Sequence, residues 1–518
     1  MDGNGGTTAE LTTTTDYDPA CNVLSARDPL GRLSVFAYDG AERLVAQVDP
    51  AGNETTYQLD ATGQPESVTL NEVIAGGGSA ATTTTHEYDA LGRETATIDP
   101  LGNTTRFTLD ARGRARLVTD PEGNTTERVY DSLGRMTSET RPEGIRIDLA
   151  YDANGNRTSY TDARGNTTTW VYDALDRVTS VHYPDQTTES TAYDAAGNAT
   201  QLTQPSGTTV TQTYDAANRL TGRAIALAGG LEGPTAESYA LDGLGRLTQA
   251  TSGTGPLPDP AAVTSTRTYD SLSRVTSETT AGKTVGYQLD AAGNVTGMTY
   301  PSGVTVTRQV DDLNRLESIP GVASYGYRGP DRVAQKTVGA LSGTLSYDGA
   351  RRPTRELLSS AASGTVFDEH LAWSPRGLKV GISRPDVGEG LVLAHDGAER
   401  LVAAERTVTP PANNSVPQVP PGASGFGFQY DPAQNLLART DRAEGVEAVT
   451  EMPLDGSGRN RPSSLVDQGD GTTALAWDAQ GNLVQKGDLH LHYDYRNRLV
   501  RVTDGSGPKG DNGVCCRC

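Results

Sequence analysis

Carboxylates are the residues of this 518-residue chain whose type and recurrence could do chemistry: Asp18, Asp39, Asp60, Asp89, Asp110, Asp131, Asp152, Asp173, Asp194 and Asp215. Two acids placed across a sugar linkage hydrolyse it, and oxygen ligands gathered in turns can hold calcium. Spacing argues against hydrolysis. Every step in the series is 21 residues except one of 29, whereas a catalytic pair is needed once. Calcium fares little better, because an Asp with Asn or Arg four residues later falls short of six oxygen ligands and Arg repels a cation. The six His include His490-x-His492, which puts two rings on one strand face without a third ligand nearby. Cys21 stands alone and Cys515, Cys516 and Cys518 crowd an end with no His, which reads as a frayed tail rather than a disulfide framework or a soft-metal site. No Ser/His/Asp order or phosphate-binding Gly loop emerges. No catalytic, cofactor-binding or metal residue is assigned, no cofactor is expected, and the chain is not read as an enzyme. A pocket that contradicted this would have to form where no repeat word sits, around Phe367 to Arg384.

The elements that carry these Asp residues explain them better. Hydrophobic residues make up only 35% of the chain, with 59 Gly, 21 Tyr, five Phe and three Trp, too little for several compact cores. Low hydrophobicity with a net charge of −21 would suit disorder, but disordered chains keep no register. The acidic balance disfavours nucleic acid. No apolar run is long enough for a transmembrane helix, and the start has no basic, then apolar, leader.

Two words alternate. The first is Tyr-Asp-x-x-Gly-Arg, as in Tyr38-Asp39, Tyr88-Asp89 with Gly92-Arg93, Tyr130-Asp131 with Gly134-Arg135, Tyr151-Asp152, Tyr172-Asp173, Tyr193-Asp194, Tyr214-Asp215 and Tyr493-Asp494. The second lies ten residues later: Asp28-Pro29-Leu30-Gly31, Asp49-Pro50, Asp99-Pro100-Leu101-Gly102 and Asp120-Pro121, with weaker copies opened by Asp162, Gln204 and Tyr300. Pro presets φ at a turn, Gly supplies positive φ and Asp accepts backbone N–H groups, so both words are turns. Between them run Thr-, Val- and Tyr-rich segments of strand length. Each 21-residue unit is a β-hairpin. Six residues after each Tyr comes an apolar residue (Leu44, Met136, Val178, Leu220), and such pairs can stack from unit to unit into an apolar layer. Copies with Glu94 or Arg157 there should lie where the layer meets solvent.

The expected organisation is an incomplete first repeat over 1–16, regular repeats over 17–222, repeats with Gly/Pro inserts over 223–345, degenerate repeats over 346–504 and an unstructured tail over 505–518. The inserts, Asn71–Ser79, Ala224–Pro234, Gly253–Ala262 and Thr407–Gly425, read as loops. About 22 hairpins give about 44 strands, and at roughly 4.8 Å per strand the ribbon is about 210 Å long, little more than one turn about 70 Å wide.

These words resemble the YD repeat of the Rhs family, which includes bacterial polymorphic toxins, C components of insecticidal toxin complexes, wall-associated proteins and teneurins. The resemblance runs from Tyr17 to about Val502. It implies an all-β array of hairpin repeats whose sheet spirals into a hollow, here partial, β-shell. In toxins of that family the shell encloses a C-terminal effector. The family's autoproteolytic Asp-Pro-x-Gly-Leu segment has no counterpart after Tyr493, and Asp28 and Asp99 are in repeat phase, so they read as turns. The function implied is structural: a shell segment of a secreted or cell-surface protein that encloses, displays or delivers another polypeptide. The chain reads as a fragment whose export signal is expected to lie outside it. The alternative is a carbohydrate- or cell-wall-binding module using exposed aromatics such as Trp170 or Trp477 on a cell-surface glycan.

Overall fold

The computed structural model describes residues 11–229, 231–255, 261–407, 424–443, 446–467, 471–494, 496–504 and 507–508. Among them the chain is β-strand and turn, with one short 3-10 turn at Pro142–Gly144. Each strand of the regular part pairs antiparallel with its neighbours in sequence. Thus Leu33–Tyr38 pairs with Leu44–Val48 and that with Glu54–Leu59, while Thr167–Tyr172 pairs with Val178–His182 and that with Thr188–Tyr193. The expected hairpin array is what forms.

The Tyr of each first word ends a strand, and the ladder slips by one residue just before it, as between Ala37 and Tyr38, Glu87 and Tyr88, Ala150 and Tyr151, and Val171 and Tyr172. That slip marks a type I turn followed by a left-handed residue, a connection whose extra residue is absorbed as a bulge. The left-handed position is Gly in about half of the copies and another residue in the rest, among them Glu42, Asp176, Asn218, Asn314 and Asn497 with φ of 59–64°. The words at Gln204 and Tyr300 keep the same backbone turn, Gly207 N–H donating to the Gln204 carbonyl and Gly303 N–H to that of Tyr300 (both 2.8 Å).

Two compact units result. The described part of the first lies in 11–127, 269–277 and 284–407, and that of the second in 128–268, 278–283 and 424–508. Each brings together an earlier and a later pass of the ribbon. Side-chain hydrogen bonds between passes join residues 254 to 298 positions apart. The expectation of little more than one wide turn is therefore too low within each unit: the ribbon comes back against itself after about 250–300 residues.

The apolar layer is thin. Tyr38, Leu44, Tyr151, Met136, Tyr172 and Val178 are all half-buried. Among the described residues the buried apolar side chains are few and mostly small, among them Ala96, Val181, Val210, Ile225 and Ala404, whereas the largest fully buried side chains are polar: Glu72, Thr208, Asp494 and Ser383. Hydrogen bonds must carry much of what a core would otherwise supply. Arg157 is exposed, as its place in the layer suggested. Glu94 is not left to solvent: it is half-buried and accepts hydrogen bonds from His86 Nδ1 and Thr97 Oγ1 (both 2.7 Å).

The insert Asn71–Ser79 is not a bulging loop. It lengthens an ordinary hairpin, Pro65–Val73 against Ser79–Tyr88, because strand pairing continues as far as Val73 and Ser79. At Ala224–Pro234 the strand Leu220–Ala226 runs into the insert before it leaves the ladder. Half of Gly253–Ala262 and most of Thr407–Gly425 lie outside the described residues, as do most of the tail and Cys515, Cys516 and Cys518. Phe367 to Arg384 form two paired strands, Gly364–Trp373 and Lys379–Arg384, and Asp368 there is held by Arg355 Nε and Nη2 at 2.8 and 2.9 Å.

Candidate functional site

The Tyr-Asp turn recurs along the described residues, and its atoms can be followed at Asp131. Oδ1 accepts the backbone N–H groups of Leu133 and Arg135 (both 2.9 Å), and Oδ2 accepts Arg135 Nε at 2.7 Å. Gly134 N–H closes the turn onto the Asp131 carbonyl at 3.1 Å, and Asp131 N–H donates to the Arg135 carbonyl at 2.9 Å. Asp39 with Arg43, Asp89 with Arg93, Asp173 with Arg177, Asp215 with Arg219 and Asp494 with Arg498 repeat the pattern. In Asp152 and Asp194 the Arg is replaced by Asn156 and Asn198, whose amides make the same contact to Oδ2. The second words use the same chemistry, Asn53 on Asp49 and Asn103 on Asp99.

The Arg then reaches into the next repeat. Arg135 Nη1 donates to the Asp152 carbonyl at 2.7 Å while its guanidinium lies 4.8 Å from the centre of the Tyr151 ring, and Tyr151 Oη donates back to the Met136 carbonyl at 3.0 Å. Arg177 stands 4.4 Å from the Tyr193 ring, and Tyr193 Oη reaches the Val178 carbonyl at 2.9 Å. Arg43 and Arg93 donate to the carbonyls of Asp60 and Asp110 (both 3.0 Å). In several further pairs a Tyr hydroxyl finds the residue just after the preceding Arg or its stand-in: Tyr88 on Pro65, Tyr172 on Arg157, Tyr214 on Ala199, Tyr347 on Val333. Tyr38, Tyr130 and Tyr493 occupy the same strand-end position. The word Tyr-Asp…Arg thus makes a reciprocal clamp between adjacent hairpins: a charge-assisted fork one way, a phenol hydrogen bond the other, and a cation over an aromatic face between them.

This arrangement leaves the carboxylates little capacity for other chemistry. With Oδ1 accepting two N–H groups and Oδ2 a guanidinium or an amide, most of their lone pairs are committed. The Arg93 side chain, then its backbone N–H, holds the Asp89 carboxyl below the usual range, and the same contacts from Arg114 bring Asp110 down to about 2. No group of three or more His, Cys, Asp or Glu that could hold a metal occurs among the described residues. His492 Nε2 pairs with Thr503 Oγ1 at 3.3 Å, and His490 is exposed. The aromatics considered for glycan stacking are used internally. Arg157 lies 4.2 Å from the centre of the Trp170 ring, and Trp477, standing where Tyr usually does, donates its indole N–H to the Pro462 carbonyl at 2.6 Å.

Sequence reasoning named the Asp and Tyr and missed what the Arg does, although its recurrence four residues after Asp was the available signal. It also missed a second set of residues that join the passes. In the first unit, fully buried Glu72 pairs with Arg332, with Arg328 Nε at 3.1 Å and with Arg351 Nε at 2.9 Å, while Arg376 Nε reaches Glu122 at 2.7 Å. In the second, Arg459 Nε lies 2.7 Å from Asp185 and Asn460 Nδ2 donates to Asp162 at 2.8 Å, and Arg496 pairs with Glu237. Burial pushes the Glu72 carboxyl up, but Arg332, then Arg328 and Arg351, outweigh it and hold it ionised.

Comparison with known proteins agrees with this geometry. The RHS repeat model matches residues 17–54, 38–72, 88–124, 110–146, 151–188, 193–230 and 269–305. Among solved structures, the crystal structure of TcdB2-TccC3-TEV aligns over 97% of this chain and 30% of its own length, at 16% identity and a TM-score of 0.62. That of TcdB2-TccC3 without its hypervariable C-terminal region aligns over 95% and 30%, at 15% identity and 0.60. The chain therefore spans under a third of those proteins, and at such identity what is shared is the fold. No curated protein sequence matches it. The chain thus carries RHS repeats over these seven stretches, and its fold is that of the solved TcdB2-TccC3 structures.

Proposed function

We propose that this chain is a wall segment of a secreted or cell-surface RHS protein, and that the wall encloses, displays or delivers another polypeptide. The observation that carries the reading is the clamp itself. Its Tyr, Asp and Arg are spent on holding one hairpin to the next, and a second set of ion pairs joins one pass of ribbon to another, as suits a wall rather than a reaction centre. The fold shared with TcdB2-TccC3 supports the same reading. On it the residues of the repeat words are structural, no catalysis is assigned to this segment, and the segments of loosened spacing are places where the wall admits loops.

Two measurements test it. Limited proteolysis of the full chain should leave a large resistant body, and uniform digestion to small peptides would end the wall reading. A flexible protease-sensitive peptide fused after Cys518 should be cut more slowly than the same peptide free in solution; equal rates would leave a wall that encloses nothing.

A further inference from the structure

The residue that ends one first-word turn and the left-handed residue of the next are not chosen independently. Where a turn ends in Arg, the left-handed residue of the following first word is Gly in the pairs Arg43 and Gly63, Arg93 and Gly113, Arg177 and Gly197, Arg219 and Gly245, and Arg274 and Gly293. Where it ends in Asn, a side chain stands there instead: Asn156 is followed by Asp176, Asn198 by Asn218, Asn294 by Asn314 and Asn482 by Asn497. All of these left-handed residues have positive φ, which Gly, Asn and Asp each tolerate, so the turn itself does not sort them by a residue in the hairpin before.

Space does. The Arg crosses to the next turn, as Arg43 does to the Asp60 carbonyl and Arg219 to that of Asp242 (3.0 and 3.1 Å), and its stem lies over the left-handed residue. A Cβ added at Gly63 or Gly113 would come to 3.3 Å from Cδ of Arg43 or Arg93, and at Gly197, Gly245 and Gly293 the nearest atom is again one of the preceding Arg, at 3.8 Å. Asn is too short to cross. The side chain of the next turn fills the room it leaves and takes its amide: Asn156 Nδ2 donates to Asp176 Oδ1 at 2.6 Å, Asn198 Nδ2 to Asn218 Oδ1 at 2.9 Å, Asn294 Nδ2 to Asn314 Oδ1 at 2.6 Å and Asn482 Nδ2 to Asn497 Oδ1 at 3.0 Å. Arg246 before Ser273 and Arg400 before Gln434 depart from the rule, and in both an insert separates the two words; Arg332, before Arg351, is turned to Glu72.

We propose that these two positions are a matching code between consecutive hairpins, Arg with Gly ahead of it and Asn with a side-chain oxygen, and that the code specifies which hairpin follows which. An array of similar hairpins can mispair by skipping one of its members, since each strand offers much the same ladder to several others. From Asn156 to Gly245 the two kinds of junction alternate. A skip of one hairpin would there face Asn156 with Gly197, Arg177 with Asn218 and Asn198 with Gly245, a mismatch at each junction. The code goes beyond the wall reading and holds whatever the wall encloses.

Native-state amide exchange of the full chain reads one junction through Asn218 N–H on the Asp215 carbonyl and Asp215 N–H on the Arg219 carbonyl, at 3.0 and 2.9 Å. Asn198→Arg crowds Asn218 and removes its amide bond, so exchange should quicken about three- to tenfold. In the Asn218→Gly background the same substitution builds the kind of junction that Arg177 and Gly197 form, and exchange should slow instead. The reciprocal test is Arg177→Asn, which should quicken exchange at the Asp194 turn more beside Gly197 than in the Gly197→Asn background. Each comparison makes one substitution in two backgrounds, so a general loss of stability cancels, and a protease result that ended the wall reading would leave these rates as they are. Failure of Asn198→Arg to slow exchange in the Asn218→Gly background, or an Arg177→Asn effect that is the same in both backgrounds, would each overturn the proposal.

Discussion

Replacing Gly102 by Val isolates what the turn backbone demands. Gly102 has φ of +85°, and a Cβ added there meets no atom within 4 Å, so crowding by neighbours contributes nothing and the cost is that of forcing a β-branched residue into the left-handed region. That cost is about 1–3 kcal/mol. Gly102→Asn is the control, because Asn218 and Asn314 hold the corresponding turn position at φ of 59° and 64°; it should cost well under half as much. A third variant, Gly113→Val, adds a clash. At Gly113 φ is again +85°, but the new Cβ would lie 3.3 Å from Arg93 Cδ, part of the clamp side chain from the preceding repeat, so Gly113→Val should exceed Gly102→Val. An array of repeats need not unfold in one step, so the assay is native-state amide exchange at the turn rather than a single melting point. The reporters are Gly102 N–H on the Asp99 carbonyl and Asp99 N–H on the Asn103 carbonyl, both 2.9 Å. The stated cost corresponds to exchange faster by about 5- to 150-fold for Val. Equal rates in the Val and Asn variants would refute the turn argument, and Gly113→Val no worse than Gly102→Val would refute the placement of the clamp over the turn.

Tyr151→Phe removes the hydrogen bond to the Met136 carbonyl and should cost about 0.5–1.5 kcal/mol, read as faster exchange in the hairpin around 136–161. Arg135→Lys keeps the charge but loses the fork that joins Asp131 to the Asp152 carbonyl, and should loosen the same hairpins. Glu72→Gln leaves Arg328, Arg332 and Arg351 around a buried neutral group and should destabilise the first unit by about 3–5 kcal/mol, seen as a lower denaturant midpoint; an unchanged midpoint would deny Glu72 its role. The turn carboxylates of Asp89, Asp110, Asp173 and Asp194 are held low chiefly by hydrogen bonds from the Arg or Asn four residues on. Because these folded-state values lie below the unfolded ones, their contribution is complete above about pH 4 and fades as pH falls toward 2. Circular dichroism should therefore hold from pH 7 to about 5 and fall below 4, and a signal unchanged at pH 2 would contradict it.

The sequence by itself determined the turns and therefore the hairpins. Every bond that makes a turn runs between residues two, three or four apart, so Asp131, Gly134 and Arg135 announce it within one word. The repeat step also placed Tyr at strand ends, because a bulge shifts the ladder at the same point in each unit. What the word could not tell was that its Arg and Tyr are a clamp, since that depends on the next hairpin lying within reach of a guanidinium. The joining of one pass to another lay further out of reach. Glu72 and its three Arg partners are more than 250 residues apart and share no repeat phase. Which turn of a later pass meets which turn of an earlier one follows from how tightly the ribbon curves. Curvature is summed over a dozen hairpins, each adding a small twist that no single residue encodes, so only the tertiary structure decided that a Glu at the end of a strand would become the most deeply buried charge in its unit.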